Sequence, residues 1–374
     1  MKNIYLDNAA TTPIRKEVLD EMVLIMQNDY GNPSSSHTFG RKAKSLLELS
    51  RKKIAKILNC SSQEIVFTSC ATEANNLILQ NVVEDLQIKR IISSKIEHHA
   101  VLHTLEALQN KHDFAIDFVK IKSDGSIDID HLKQLLDQNI PTLVSLMHVN
   151  NETGNVLDLP LVSQICQQHQ ALFHSDTVQS VGKTTINLQE IPIDFIVASA
   201  HKFHGPKGIG FAFIRKNTIL QPKMFGGEQE KGLRPGTESL HNIVGMASAL
   251  EYSNNLLSQE SQYVLSLKNY LIQKLNSELP GFKINGRSDN FYNILNIQLP
   301  FSPEKTSMLL FNLDIKGIAV SRGSACQSGS TKPSHVLAEI LSATEMQNPS
   351  IRISFSHYNT FEEIDYFVSV LVNL

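Results

Sequence analysis

The chain has 374 residues, enough to bury a large core and to make two domains. Its hydrophobic fraction of 41%, charged fraction of 19% and net charge of -3 are those of an ordinary globular protein and exclude a general affinity for nucleic acid or anionic membranes. The N-terminus, MKNIYLDNAATTP, lacks the apolar core of a signal peptide and no run approaches the ~18 apolar residues of a membrane span, so a cytoplasmic protein is expected.

Residues 3–14 and GNPSSSH at 31–37 predict extended and irregular chain, separated by a helix over 15–27 carrying Val18, Met22 and Ile25. Leu46, Leu47, Leu49, Ile54, Ile57 and Leu58 recur at three and four and predict an amphipathic helix over 38–58 with a solvated positive face. From residue 65, strands at 65–69, 90–94, 114–121, 142–149 and 171–175 alternate with helices at 71–84, 100–110, 130–138 and 159–169. Such alternation predicts an α/β fold with a largely parallel sheet covered by helices on both faces. Ligands in such sheets bind beyond the carboxyl ends of the strands. Residues 237–275 predict one or two long helices. Strands near 291–298 and 317–321 and helices near 303–312 and 361–372 follow.

Two buried strands, Asp194–Ala198 and Ile209–Ile214, flank SAHKFHGPKGIG, with Lys202 in the turn. A lysine there is unfavourable unless it is paired, neutral or covalently used, and a Schiff base to an aldehyde cofactor meets that need. On this stretch alone, a surface lysine on a glycine-rich bend is an equally good reading.

Other polar residues cluster at predicted strand ends. Thr72 opens a helix in Ser69-Cys70-Ala71-Thr72-Glu73, as a phosphate ligand or a simple N-cap. His98 follows strand 90–94. A metal set of His98, His99 and His103 is disfavoured because no carboxylate completes it, and a ring stacked on a flat ligand is more economical. Asn150-Asn151-Glu152 follows strand 142–149. Asp176, with Gln179 one turn on, is either a helix cap or a partner for a cationic ring nitrogen. Two nucleotide-loop matches fail: Gly182-Lys183-Thr184 has Thr177 where a Walker motif needs glycine, and residues 205–210 open a strand instead of a helix. Four cysteines without a C-x-x-C pair exclude a disulfide framework or zinc site; Cys60, Cys70 and Cys166 lie beside apolar segments, where burial explains them.

Ten segments then coincide in order: YLDNAATTP (5–13), YGNPSSSH (30–37), FTSCATEANN (67–76), EHHAV (97–101), HVNNETG (148–154), HSDTVQSVGK (174–183), SAHKFHGPKGIG (199–210), GGEQEKGLRPGTE (226–238), GSACQSGS (323–330) and SIRISFS (350–356). Nearly end to end, the chain resembles the group I (NifS/IscS-type) cysteine desulfurases of the class V aminotransferase family. The resemblance implies the pyridoxal-phosphate-dependent transferase fold (aminotransferase fold type I). Its large domain, residues 15–255, would hold the cofactor; residues 1–14 and 256–374 would form a smaller α/β domain. It also implies that Lys202 carries pyridoxal 5'-phosphate, Asp176 pairs with the ring nitrogen and Gln179 with the ring hydroxyl. His98 would stack on the ring, Asn151 would lie near it, and Thr72, Ser199 and His201 would hold the phosphate. Thr237 would reach the phosphate of a second subunit, making a homodimer, while Arg352 with Asn32 would clamp the carboxylate of L-cysteine.

By the same resemblance Cys326, in a loop of small residues, is the thiol that takes sulfur as a persulfide, with Arg322 and Lys332 near enough in sequence to lower its pKa. The expected reaction converts L-cysteine to L-alanine and passes the sulfur to an acceptor for iron–sulfur cluster assembly or tRNA or cofactor thiolation. The chain departs from the family at Cys70, Arg322 and Ser356-His357-Tyr358. It ends at Leu374, short of the longer tail with which housekeeping members engage the iron–sulfur scaffold, so delivery there is not expected. The competing readings are a selenocysteine or cystine lyase or an aminotransferase on the same scaffold, and a catalytically silent partner protein.

Overall fold

The strand–helix rhythm expected from residue 65 is present in the computed structural model, which describes residues 3–302, 308–322 and 334–374. In chain order the elements begin β1 (Ile4–Tyr5), α1 (Lys16–Asn28), α2 (Thr38–Leu58), β2 (Ile65–Thr68), α3 (Ala71–Glu84), β3 (Arg90–Ser93), α4 (His99–Gln109), β4 (Ala115–Phe118) and α5 (Ile129–Leu136). They continue with β5 (Thr142–Ser145), α6 (Leu159–Gln168), β6 (Leu172–Asp176), β7 (Phe195–Ser199), β8 (Gly210–Ile214), α7 (Leu240–Asn255) and α8 (Leu257–Glu278). The last are β9 (Lys283–Ile284), β10 (Ile294–Gln298), α9 (Leu309–Ile315), β11 (Ile318–Ala319), α10 (His335–Ala338), β12 (Ser350–Ser354) and α11 (Phe361–Val372).

The central sheet has the order β2-β8-β7-β6-β5-β3-β4. From β7 through β6, β5 and β3 to β4 the strands run parallel, because each crosses over through a helix or long segment. β8 runs antiparallel to both neighbours: the connection from β7 is too short for a crossover, and Lys202 lies in it. The inner strands are buried along their whole length, which is why they read as unbroken Ile, Val and Phe runs instead of alternating ones. One face packs Phe173, Ile196 and Phe211 against Val18, Leu47, Ile54 and Val244 of α1, α2 and α7. The other packs Ile91 and Val197 against Ile78, Leu79, Val101 and Leu105 of α3 and α4.

Apart from the central sheet, an antiparallel sheet of order β12-β10-β9 and the parallel pair β1-β11 share a separate core. Ile4 and Leu6 join Leu267, Leu271, Leu295, Ile353, Phe367 and Leu371 there, so the chain's first residues pack with its last. The expected strand over 142–149 ends at Ser145. Beyond it the chain bends, and the Asn150 Oδ1 accepts from the backbone N–H groups of Glu152 and Thr153 at 2.9 and 3.0 Å.

The positive face of α2 is not wholly solvated, contrary to expectation. Arg51 is buried, and its guanidinium makes two 2.7 Å bonds to Glu230, a third at 2.9 Å to the Ile65 carbonyl, and stacks over Phe67. Glu230 also accepts from the Phe67 N–H. Removing one partner of a buried pair strands the other's charge. Glu230→Ala should therefore lose about 3–5 kcal/mol in denaturant unfolding; a loss within the ±0.5 kcal/mol typical of surface substitutions would show the pair to be dispensable.

Candidate active site

Nine expected residues come together at the carboxyl ends of the parallel strands. Thr72, His98, Asn151, Asp176, Gln179, Ser199, His201, Lys202 and Arg352 line one cavity. One end of it suits an anion. α3 starts after Cys70, whose own side chain makes no capping bond, so Thr72 is not the cap, and Cys70, Ala71 and Thr72 line that end of the cavity. The Ser199 Oγ accepts from the Ala71 N–H at 2.8 Å, which joins the end of β7 to the start of α3. Burial, with Lys202, Lys207 and Lys183 adding to it, pushes His201 down to about 3, so its ring is neutral. Gly210 permits this approach: a Cβ there would meet the Cys70 backbone at 3.0 Å and the Ala198 carbonyl at 2.4 Å. Cys70 itself adopts extended backbone that any residue accepts, so its departure from the family pattern carries no strain.

In the middle of the cavity, Asp176 is the last residue of β6. Its Oδ1 accepts from the Val178 N–H at 3.1 Å, a local turn, while Oδ2 accepts from Asn75 Nδ2 at 2.9 Å. His98 is the N-cap of α4, and its Nδ1 accepts from the Ala100 N–H at 3.0 Å, which leaves the other ring nitrogen to carry the proton. Burial lowers the pKa of His98, Asp176 opposes that, and Lys202 adds to it. His99 stacks on His103 and lies tilted against His335, with centroids at 4.6 and 4.5 Å; among the described residues no group of His, Cys, Asp or Glu is arranged to hold a metal.

Lys202 is not a surface-turn lysine. Its Nζ donates to the Ala9 and Ala10 carbonyls at 2.6 and 2.8 Å inside the cavity. Gln179 donates from Nε2 to the same Ala9 carbonyl at 2.9 Å, and Lys183 Nζ donates to Gln179 Oε1 at 3.1 Å. Arg352, 1% exposed at the centre of β12, donates to the Asn151 carbonyl at 2.8 Å and to Asp7 at 2.7 Å.

Two expected residues lie elsewhere in the single chain. Asn32 is on an exposed loop before α2, where it accepts from the Ser34 N–H. Thr237 lines a second cleft with Gly208, Glu230 and Arg234. Cys326 and Lys332 lie outside the described residues. Cys166 is buried as expected; Cys60 is only half-buried, packed against the core, with burial pushing its thiol up to about 12; Cys70 is also half-buried but lines the cavity, so packing does not explain it. Asn75, Asp7 and Lys183 were missed by sequence reasoning.

The class-V aminotransferase family model matches residues 4–367. Cysteine desulfurase IscS of Dictyoglomus turgidum is 40% identical, with 99% of this chain and 94% of that protein covered. Putative cysteine desulfurase IscS 1 of Bacillus subtilis is 38% identical, with 97% and 96% covered. A solved NifS-like protein superposes with a TM-score of 0.91 at 37% identity, covering 100% and 99%. A structure titled SspA in complex with cysteine gives 0.83 at 32%, covering 96% and 100%. The chain belongs to the class-V aminotransferase family, within its NifS/IscS-type cysteine desulfurases.

Proposed function

We propose that this cysteine desulfurase binds pyridoxal 5'-phosphate in the cavity around Lys202, converts L-cysteine to L-alanine and carries the sulfur as a persulfide on Cys326. The observation that carries the reading is the set of groups along one cavity: the start of α3 with Ser199, Thr72 and His201 at one end, the Asp176 carboxylate in the middle, and the Lys202 amine. That order fits a phosphate, a pyridine nitrogen and an aldehyde. When bound, the cofactor supplies an electron sink for the carbon next to the substrate's carboxylate.

The chain's own residues do the rest. Lys202 would hold the cofactor and, once released, take the proton from the substrate's α-carbon. Asp176, oriented by Asn75, would keep the ring nitrogen protonated, and Gln179 would donate to the ring oxygen. His98, fixed by the Ala100 N–H, would pack on the ring. Arg352, already held by Asp7 and Asn151, would receive the substrate carboxylate. The Cys326 thiolate would attack the substrate sulfur; the carbon–sulfur bond breaks, its electron pair goes to the carbon skeleton, and the sulfur stays on Cys326. Asn32 and Thr237, both away from this cavity, are assigned to the site of a second copy in a homodimer. The two separate cores support the division into residues 15–255 and residues 1–14 with 256–374. Sulfur delivery to an acceptor protein in the cytoplasm completes the reading; among the described residues no helix is long and apolar enough to cross a membrane.

Product analysis tests it. Purified protein with pyridoxal 5'-phosphate and L-cysteine should release alanine and sulfur in equal amounts with no keto acid added. A requirement for a keto-acid acceptor would make it an aminotransferase instead.

A further inference from the structure

Ser321 and Ser334 stand on either side of Cys326 in sequence, and both are tied to residues at the cavity. Ser321 and Arg352 exchange backbone bonds, the Arg352 N–H donating at 2.6 Å and the Ser321 N–H at 3.2 Å. Ser334 opens α10. Its Oγ accepts from the Leu337 N–H at 3.0 Å and donates to Glu152 Oε2 at 2.5 Å, so the hydroxyl is committed in both directions. His335 adds a bond from Nε2 to the Glu97 carbonyl at 2.9 Å; a carbonyl only accepts, so Nε2 carries the proton. The two loops that grip α10 are joined to each other, because Asn150 donates from Nδ2 to the Ile96 carbonyl at 3.0 Å. Each gripping residue is the chain neighbour of one that lines the cavity. Glu97 precedes His98, and Glu152 follows Asn151, whose carbonyl accepts from Arg352.

Packing alone does not account for Glu152. It is fully buried, and its Oε1 has no hydrogen-bond partner among the described residues. A buried carboxyl that spends one oxygen on a single hydroxyl is a poor packing element, and an apolar side chain would suit the wall better. Its own loop does not need the carboxyl. Asn150 Oδ1 takes the Glu152 and Thr153 N–H groups, and the Glu152 carbonyl accepts from Asn296 Nδ2 at 3.1 Å. We propose that Glu152 is a positioning residue for sulfur transfer: through Ser334 it holds the chain that follows Cys326 in register with the arginine that receives the substrate carboxylate. This role rests on the reading of Cys326 and Arg352 given above. Glu152 does not line the cavity, so its effect falls on the step in which thiol meets sulfur, after the substrate has bound.

The test compares wild type, Glu152→Ala and Glu152→Gln in full-length protein. Loaded with pyridoxal 5'-phosphate, all three should show the same spectral change at the same concentration of L-cysteine. Persulfide formation on the Cys326 peptide, followed by rapid quenching, alkylation and mass spectrometry, should slow by roughly ten- to a hundredfold in Glu152→Ala. Glu152→Gln, which keeps an oxygen acceptor for Ser334, should recover most of that loss. In cofactor-free protein, amide exchange over residues 335–341 should quicken by roughly tenfold in Glu152→Ala and not in Glu152→Gln, with the central-sheet peptides unchanged. If Glu152→Ala does not fold, Ser334→Ala breaks the same bond from the other side and should give the same separation. Persulfide formation at the wild-type rate in the variant that breaks the bond, or a loss matched by weaker substrate binding, overturns the positioning role. A wild type that makes alanine with no persulfide on Cys326 overturns the desulfurase reading and this role with it, even where the exchange difference shows the anchor to be real.

Discussion

Lys202→Ala should yield a folded, colourless protein with no measurable turnover. The chain around Lys202 does not depend on its amine for structure: the turn is held by backbone bonds from Phe203 and Gly205 to the Ala200 carbonyl, at 3.1 and 2.9 Å. Losing the two bonds to Ala9 and Ala10 removes on the order of 1 kcal/mol each, and water can enter the cavity to replace them. Cofactor attachment and α-proton transfer, by contrast, both need that nitrogen. Absorption spectra after addition of pyridoxal 5'-phosphate, with alanine formation measured in parallel, check the prediction. Wild-type turnover in the variant would make the lysine structural and the site misassigned.

The second large effect separates binding from sulfur chemistry. Cys326→Ser should retain the cofactor and still show a spectral change with L-cysteine, because Lys202, Asp176 and Arg352 are untouched. Sulfur release should then fall by several orders of magnitude, since a serine hydroxyl is almost fully protonated near neutral pH and is a poor nucleophile toward sulfur. Cofactor retention and the spectral change in the same variant would show that the loss is not unfolding. Alanine and sulfide at the wild-type rate would point to a simple lyase or to another nucleophile.

Much of this was legible in the sequence where the signal was local. The three-and-four spacing over 38–58 coincides with α2, Thr38–Leu58, because that apolar stripe is long and ends at Asn59 in a left-handed cap. The buried parallel strands declared themselves as apolar runs, and the polar residues at their ends are those that line the cavity. What stayed hidden depends on contacts between distant parts of the chain. Asn75 looks like any polar residue on α3 until the fold sets it against Asp176 from β6. Arg51 reads as one more charge on a basic face until Glu230 arrives from far along the chain. β12 was read only as a motif, because Arg352 interrupts its apolar run; the fold buries that arginine by supplying Asp7 and the Asn151 carbonyl. Cys70 sits beside apolar segments in sequence and beside the cavity in space.

Cys70 makes the decisive measurement a choice between two thiols. Wild-type protein loaded with pyridoxal 5'-phosphate would be given L-cysteine for a single turnover, alkylated, digested and mapped by mass spectrometry. The desulfurase account predicts one extra sulfur on the peptide containing Cys326 and none on the peptide containing Cys70. Extra sulfur on Cys70, or on neither peptide while alanine accumulates, would contradict it.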